Sequence, residues 1–239
     1  MGNFDVKIQK FIDNFITAGG WKTVMDGLKN TMIIAVLGLV IGVVIGTLIG
    51  IIKVLPRYRK STRFFQKICD LYVAFFRGTP IVVQLLLGYY VLFPMLGIRT
   101  TSLVVCVWIF GMNSGAYIAE IMRGGIKSVD GGQLEAARAV GLGFGISMWK
   151  IVIPQAMKNI LPSLGNEFIA LIKDTSVASF VAVADLRLAF QRIGDSSYEY
   201  MVPYLVMAII YIVLVLIVTW GIKLMERGFA KSDRNRQSA

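Results

Sequence analysis

The sequence predicts an all-α integral membrane protein, and two observations support this fold class. Hydrophobic residues make up 56% of the 239 residues, and charged residues only 16%. The hydrophobic residues also fall into long blocks, and a helix needs about 20 consecutive apolar residues to cross a bilayer. A soluble domain of this length does not carry such blocks, so we expect a bundle of transmembrane helices.

Five apolar runs have spanning length, which predicts five transmembrane helices. The runs cover 32–52, 64–96, 102–122, 161–183 and 202–225. Four runs are continuous, whereas the second is interrupted by Arg77-Gly78-Thr79-Pro80. Because proline removes a backbone donor and clashes with the preceding helical turn, the second span is expected to consist of two parts.

Composition excludes several classes of site. The chain has no histidine, which rules out histidine metal sites, Ser-His-Asp triads and imidazole proton relays within it. Its two cysteines, Cys69 and Cys106, lie in apolar context, so a disulfide framework is not expected. The formal net charge of +11 is compatible with a nucleic-acid partner or with the basic cytoplasmic loops of a membrane protein.

The placement of lysine and arginine decides between these two explanations. Most of the 25 basic residues lie after the first run, between the third and fourth runs, and after the fifth. Loops rich in these residues stay in the cytoplasm. The N-terminus is therefore predicted outside and the C-terminus inside, and the charge requires no nucleic-acid partner.

The chain before the first run predicts an amphipathic segment. Phe4, Phe11 and Phe15 recur at helical spacing between charged residues, and Gly19-Gly20 follows them. This pattern predicts a helix on the outer membrane surface that ends at the glycine pair. Packing on the bundle or on a partner is the alternative. The predicted regions are an N-terminal segment (1–28), a five-helix domain (29–226) and a basic cytoplasmic tail (227–239).

A charged hairpin, at about 130–157, separates the third and fourth runs on the cytoplasmic side. Asp130 is a favourable N-cap, and Gln133 completes a capping-box pattern. The helix that starts there is expected to end at Gly141 in a left-handed conformation. Ser147 is expected to cap a second short helix, so the hairpin should consist of two short helices joined by a glycine-rich turn.

Four motifs resemble one known family. The hairpin sequence Glu135-Ala136-Ala137, Gly141, Ile151 and Ile153-Pro154 is similar to the EAA motif of ABC importer permeases, with isoleucine at 153 where leucine is usual. The polar amino acid branch of that family is indicated by Arg77-Gly78-Thr79-Pro80 with Gln84, by the run 117–126, and by Lys173-Asp174-Thr175-Ser176. The matching segments extend over most of the chain.

The resemblance implies the membrane-spanning permease subunit of an ATP-driven, binding-protein-dependent importer of polar amino acids. Its fold would be that of an ABC type I importer permease, with five transmembrane helices and a cytoplasmic coupling hairpin, in the cytoplasmic membrane of a bacterium. The implied partners are two copies of an ABC ATPase subunit, a second permease subunit that is identical or homologous, and an extracytoplasmic amino-acid-binding protein.

In this family the hairpin sits in a cleft of the ATPase subunit. The small alanines would allow close approach, the charged side chains would make contacts at the rim, and glycine would permit the reversal. The ATPase-coupling residues implied by the resemblance are Glu135, Ala136, Ala137, Arg138, Gly141, Ile151 and Pro154.

The sequence contains no phosphate-binding loop of the form G-x-x-x-x-G-K-[ST]. We therefore expect no cofactor in this subunit, with ATP and magnesium bound by the partner ATPase. An ion-coupled secondary transporter or a channel subunit is the alternative, and it would require internal pseudo-symmetry or a self-contained pathway. The sequence shows no internal repeat.

Polar residues inside the apolar runs are candidates for the substrate path, because a charge at the bilayer centre costs at least about 2.5 kcal/mol. Glu167 and Asp174 are seven residues apart and so share a helix face. The alternative is structural, with Arg77 or Lys173 neutralising these acids. The candidate path residues are Arg77, Gly78, Thr79, Pro80, Gln84, Glu167, Asp174, Thr175 and Ser176.

The break in the second run predicts a specific mode of binding. Gly78 would supply the bend, Thr79 the N-cap and Pro80 the first helical residue. The positive end of that half-helix, with Arg77 beside it, would receive the substrate carboxylate. Glu167, joined by Asp174, would receive the ammonium group or a cationic side chain. Basic or amide amino acids are therefore favoured over acidic ones, and the alternative is that the break only shapes helix packing.

Overall fold

The structure, a computed structural model, describes residues 3–55 and 60–237, with side chains for 4–55 and 60–228. Arg57 and Arg59 of the first basic loop, and the side chains at the end of the basic tail, lie outside these residues. Within the described part the chain is helical and contains no strand, which confirms the all-α class.

The helices follow the predicted order. The described α-helices are α1 (Asn3–Ile12), α2 (Gly20–Val54), α3 (Lys60–Gly78), α4 (Ile81–Leu87), α5 (Phe93–Met95), α6 (Ser102–Lys127), α7 (Gly131–Ala139), α8 (Phe144–Ser147), α9 (Ile153–Asp174), α10 (Leu186–Ser197) and α11 (Met201–Gln237). One-turn π-helical segments occupy Asp13–Thr17, Gly88–Leu92 and Met148–Val152, and a 3₁₀ segment occupies Thr175–Val181.

Three of the described helices are long and apolar enough to cross a membrane, namely α2, α6 and α11. They contain the first, third and fifth predicted runs. The second run forms Lys60–Gly78 and Ile81–Met95, which meet at an angle of 106° and would make a fourth crossing if they act as one span. The fourth run forms the second half of α9 and the 3₁₀ segment, and α9 is not among the helices that are long and apolar enough to cross a membrane. The count of five spans therefore stays a prediction.

The first span packs on the third through a ladder of glycines in α2. A Cβ atom at Gly42 would lie 2.9 Å from the Cβ of Ser114, and one at Gly46 would lie 2.6 Å from the Cβ of Ile118. The same holds at Gly50, one turn further on. Small residues four apart let two helix backbones approach closely, as in membrane helix pairs. This contact fixes α6, which supplies one wall of the candidate site.

The fourth predicted run lies inside the bundle. Leu171 and Ile172 of α9 are buried in the cluster that contains Ile34 of α2 and Phe110 of α6. The end of α9 also carries exposed positions, since Lys173 and Asp174 are both accessible. This amphipathic placement explains why the run is less apolar than a span that faces lipid.

The end of the bundle that carries the N-terminal segment also holds α10, a helix that the hydropathy pattern does not predict. Asp185 is fully buried and caps it, because its Oδ1 accepts a bond of 2.8 Å from the Leu188 N–H. The N-terminal segment packs on this helix through Phe11 and Phe15, which contact a cluster that includes Phe190. The segment ends at the glycine pair, as predicted, and Gly19 has φ of +76°. The segment packs on the bundle, which was the alternative to a helix that lies on the membrane surface.

Candidate functional site

The break between α3 and α4 differs in detail from the prediction. Pro80 precedes the helix with φ −64° and ψ 137°, and its predecessor Thr79 does not cap α4. Instead the Thr79 hydroxyl donates back to the carbonyl of Phe75 at 2.8 Å. Gly78 lacks a positive φ, and a Cβ there would meet nothing within 4 Å. The bend therefore arises from proline, which disfavours helical geometry at the residue before it.

Two buried amides support the break. Gln84 Nε2 donates to the carbonyl of Phe76 at 2.8 Å and contacts the Thr79 hydroxyl at 2.8 Å. Asn113 of α6 donates to Oε1 of Gln84 at 2.9 Å and to the carbonyl of Phe76 at 3.3 Å. A carbonyl released by a helix break must find another donor inside a bilayer. These amides supply one and join the break to α6.

A cavity of about 310 Å³ lies between the break, α6 and α9. Glu167 and Asp174 both face it, as their spacing predicts. Asn113 and Tyr117 of α6 complete its polar surface. Oε1 of Glu167 accepts a bond of 2.8 Å from the hydroxyl of Ser114, which orients the carboxylate. The cavity is lined by Thr79, Pro80, Ile81, Asn113, Tyr117, Glu167, Ala170, Leu171 and Asp174.

Neither carboxylate has an ion-pair partner among the described side chains. Among the side chains that the structure describes, no ion pair involves Glu167, Asp174, Arg77 or Lys173. Arg77 instead lies over the ring of Tyr117, 5.3 Å from its centroid. The structural pairing considered above is therefore not found in the described part of the chain, and the cavity keeps two acceptors for a positive group.

The structure brings together only some of the candidate path residues. Thr79, Pro80, Glu167 and Asp174 line the cavity. Arg77 and Gly78 are exposed beside it, and Arg77 reaches it only through Tyr117. The remaining candidates lie behind the wall with internal bonds. They are Gln84 in the amide network, Thr175 bonded to the Ile172 carbonyl, and Ser176, whose carbonyl accepts from Arg187.

Sequence reasoning missed three residues of α6 that take part in this site: Asn113, Ser114 and Tyr117. The available signal was modest for Asn113 and Ser114, an adjacent polar pair in an apolar run, whereas Tyr117 opens the motif 117–126 without having been assigned to the path. Asn113 and Ser114 are nevertheless buried. A buried amide or hydroxyl inside a membrane helix needs a partner, so both positions could have been marked as contacts between helices.

Asp130 caps the first helix of the hairpin and Gly141 turns the chain, both as predicted, but the capping box is not formed, because Oε1 of Gln133 accepts from Nε2 of Gln155 at 3.4 Å. Oδ1 of Asp130 accepts from the Gly132 N–H at 2.9 Å, and α7 follows. Gly141 has φ of +86°, and the Leu142 N–H bonds to the Ala137 carbonyl at 3.1 Å across the turn. This bond pattern is a Schellman motif, which requires a left-handed residue at the glycine position.

One expectation about the second half of the hairpin is wrong. Ser147 lies at the end of α8, and its hydroxyl donates back to the Gly143 carbonyl at 3.1 Å, so the helix starts at Phe144 without this cap. Pro154 lies in the first turn of α9, directly after the π-helical segment Met148–Val152, and the backbone stays helical through Val152. The hairpin thus continues without interruption into the helix that carries Glu167.

The outer surface of the hairpin is accessible and apolar. Val140 is 77% exposed and Trp149 is 72% exposed, and Glu135, Ala136 and Arg138 are exposed as well. Ala137 is different, since only 4% of it is accessible and its small size serves packing within the hairpin. Ile151 is half-buried and Pro154 is exposed. An apolar patch with a charged rim is typical of a docking surface.

The chain matches known proteins over most of its length. Residues 38–231 match the family described as the inner membrane component of binding-protein-dependent transport systems. The arginine transport system permease protein ArtQ of Bacillus subtilis is 36% identical over 210 residues, covering 88% of this chain and 94% of that protein. A putative glutamine transport system permease protein, GlnP of Rickettsia bellii, is 35% identical over 200 residues, covering 84% and 88%.

A solved structure agrees with these relatives. A crystal structure of an amino acid ABC transporter with histidines has a TM-score of 0.81 and 36% identity to this chain, covering 90% of it and 98% of the other. The fold and the site therefore define a multi-pass membrane permease subunit. The chain belongs to the family of inner membrane components of binding-protein-dependent transport systems. It is a transport subunit and not an enzyme, and a secondary transporter or channel is not favoured.

The Gly141 turn gives a direct test of the hairpin. Replacing Gly141 with valine should lower ATPase association and uptake together, because a β-branched residue at φ +86° costs roughly 1–2 kcal/mol or more. Gly143→Val is the matched control, since that position has φ −65° and open space around it. Pull-down with the ATPase subunit and uptake in vesicles measure the effect. Equal activity of both variants would contradict the role of this turn.

Proposed function

We propose that this chain is the permease subunit of an ATP-driven importer of polar amino acids, with basic or amide amino acids as its cargo. The observation that carries the proposal is the cavity beside the broken helix, where two carboxylates face the space without cationic partners. Such a site attracts a positive group and repels an acidic side chain. Relatives named for arginine and glutamine transport support this range of cargo.

Within the cavity, the two acids have different surroundings. Glu167 is half-buried and oriented by Ser114, which suits it to hold the ammonium group that all amino acids share. Asp174 is exposed at the mouth, which suits it to meet a cationic or amide side chain. The substrate carboxylate lies toward Thr79 and the start of α4, with Arg77 nearby. This arrangement assigns the two ends of the cargo to opposite walls.

The energy is supplied by partner subunits. The hairpin from Glu135 to Pro154 docks on an ABC ATPase subunit, of which the complex holds two copies, and ATP and magnesium bind there. A second permease subunit, identical or homologous, completes the pathway. An extracytoplasmic binding protein delivers the amino acid on the side that carries the N-terminus, and the C-terminus is cytoplasmic. The direct connection of α8 to α9 supports coupling, because movement of the hairpin shifts the helix that bears Glu167.

Reconstitution tests the proposal as a whole. The complex with its ATPase and binding protein, in vesicles, should import basic or amide amino acids only when ATP is present. Uptake should persist when an ionophore removes the ion gradients. ATPase stimulation measured with a panel of amino acids identifies the cargo. Uptake that follows a sodium or proton gradient without ATP, or maximal stimulation by glutamate or aspartate, would contradict the proposal.

A further inference from the structure

A second polar cavity lies at the end of the bundle opposite α10. It has a volume of about 240 Å³ and is lined by the C-terminal ends of α2 and α6 and by the middle of α3. It shares no lining residue with the substrate cavity. Its lining residues are Lys53, Gln66, Asp70, Glu120, Arg123 and Lys127.

The two carboxylates of this cavity are already occupied. Nζ of Lys53 lies 2.8 Å from Asp70 and 2.7 Å from Glu120, so it bridges α3 and α6. Nε of Arg123 donates to the second oxygen of Glu120 at 2.9 Å. These contacts tie the three helices together, and they leave both acids paired.

A cation remains after this pairing. Lys127 is exposed at the cavity, and it takes part in none of the ion pairs among the described side chains. The lining thus carries three cations against two carboxylates. Nε and Nη2 of Arg123 both bond the same oxygen of Glu120, so Nη1 of this lining residue makes no hydrogen bond among the described residues. The surplus charge favours an anion.

The surroundings of the cavity indicate what kind of anion fits. Asp70 lies on the cavity side of α3, and Leu71, one residue on, lies on a face that is exposed and apolar. Leu71 is 72% exposed, and Phe64 and Ile68 lie on the same face at 62% and 49%. Lys67 is exposed between the two faces by helical angle. A basic cavity therefore adjoins a surface suited to acyl chains.

We propose that this cavity binds the phosphate group of an anionic phospholipid from the cytoplasmic leaflet. Lys127 and Arg123 hold the phosphate, and the acyl chains lie along the face of Phe64, Ile68 and Leu71. Basic pockets between membrane helices on the cytoplasmic side have this chemistry. The inference uses the orientation proposed above but not the cargo, so it can fail while amino acid import stands. A soluble phosphate shares the headgroup chemistry but lacks the apolar part.

Lipid titration tests the site. The full-length chain in detergent is titrated with phosphatidylglycerol and with phosphatidylcholine of the same acyl chains, and bound lipid is counted by native mass spectrometry. Phosphatidylglycerol should bind more tightly, and Lys127→Gln should weaken it about five-fold, the effect of one cation near an anionic headgroup. Lys223→Gln is the matched control, because Lys223 is an exposed lysine of α11 that does not line the cavity.

A second variant distinguishes lipid from soluble anion. Leu71→Gln keeps every cation. It should therefore weaken the binding of phosphatidylglycerol but leave any competition by glycerol 3-phosphate or inorganic phosphate unchanged. Leu71→Gln also tests the proposal if Lys127→Gln does not yield folded protein. Equal binding of the two lipids, equal loss in the Lys127 and Lys223 variants, or full displacement of lipid by millimolar inorganic phosphate would overturn the proposal.

Discussion

Replacing Gly46 with valine should prevent the first and third spans from packing. A Cβ atom at this position would lie 2.6 Å from the Cβ of Ile118 and 2.9 Å from the backbone nitrogen of Ala119. Neither neighbour is the flexible end of a side chain, so the helices must separate. We expect a loss of about 3 kcal/mol in the free energy of unfolding, at the upper end of the usual cost of overpacking.

Folded yield and thermal unfolding of the purified chain in detergent measure this effect. Gly124→Val is the matched control, because Gly124 lies in α6 and a Cβ there would meet nothing within 4 Å. That variant should unfold near the wild-type temperature, since valine is no worse than glycine inside a helix. If the two variants unfold at the same temperature, the glycine ladder does not hold the spans together.

The ladder shows how far the sequence alone can lead. Glycines at 38, 42, 46 and 50 recur every four residues, which predicts a close helix contact on one face of α2. The identity of the partner is not in that pattern. It depends on α6, whose contacting residues lie 72 positions further along the chain, and several apolar helices offer faces of similar size.

Local signals predicted the hairpin well. Asp130 and Gly141 act within one helical turn of themselves, so their cap and reversal follow from residue type alone. Ser147 and Thr79 were misassigned for the same physical reason, because a hydroxyl in a helix can donate to the carbonyl four residues earlier. Choosing between capping and this back-bond requires knowing where the helix begins.

The sequence did not predict helix α10, because its hydrophobic pattern is short and amphipathic. Its cap, Asp185, is visible in the sequence, but hydropathy of a twelve-residue helix is masked by the apolar runs on both sides. Its stability also depends on distant residues. The hydroxyl of Thr31 accepts from the Leu186 N–H at 3.2 Å, a contact between residues 155 positions apart.

The candidate cavity was likewise predictable only in part. Glu167 and Asp174 lie two helical turns apart, so their common face is predictable from spacing. The opposite wall is formed by α6, and no local pattern places Asn113 or Ser114 there. Gln84 is instructive, because its position in a family motif suggested contact with substrate. The structure instead uses its amide to replace the hydrogen bonds lost at the proline break.

Replacing Glu167 with glutamine should sharply reduce transport of amino acids. Glutamine keeps the shape and can still accept the bond from Ser114, so only the charge is lost. A hydrogen bond to a charged group contributes about 1.5–3 kcal/mol, which corresponds to a loss in affinity of roughly 10- to 100-fold. Direct binding of substrate to the reconstituted complex and uptake into vesicles are measured together.

Three comparisons define what this result means. Glu226→Gln, an exposed acid of α11 outside the cavity, should behave as wild type. Asp174→Asn should affect arginine more than glutamine, because the acid at the mouth meets the side chain, whereas Glu167→Gln should affect both cargoes through the common ammonium. Thr79→Val should weaken binding without changing the preference between arginine and glutamine.

If uptake falls while affinity stays at the wild-type value, these residues control passage and do not bind the cargo. If Glu167→Gln and Thr79→Val both assemble with wild-type affinity and uptake, substrate binds elsewhere.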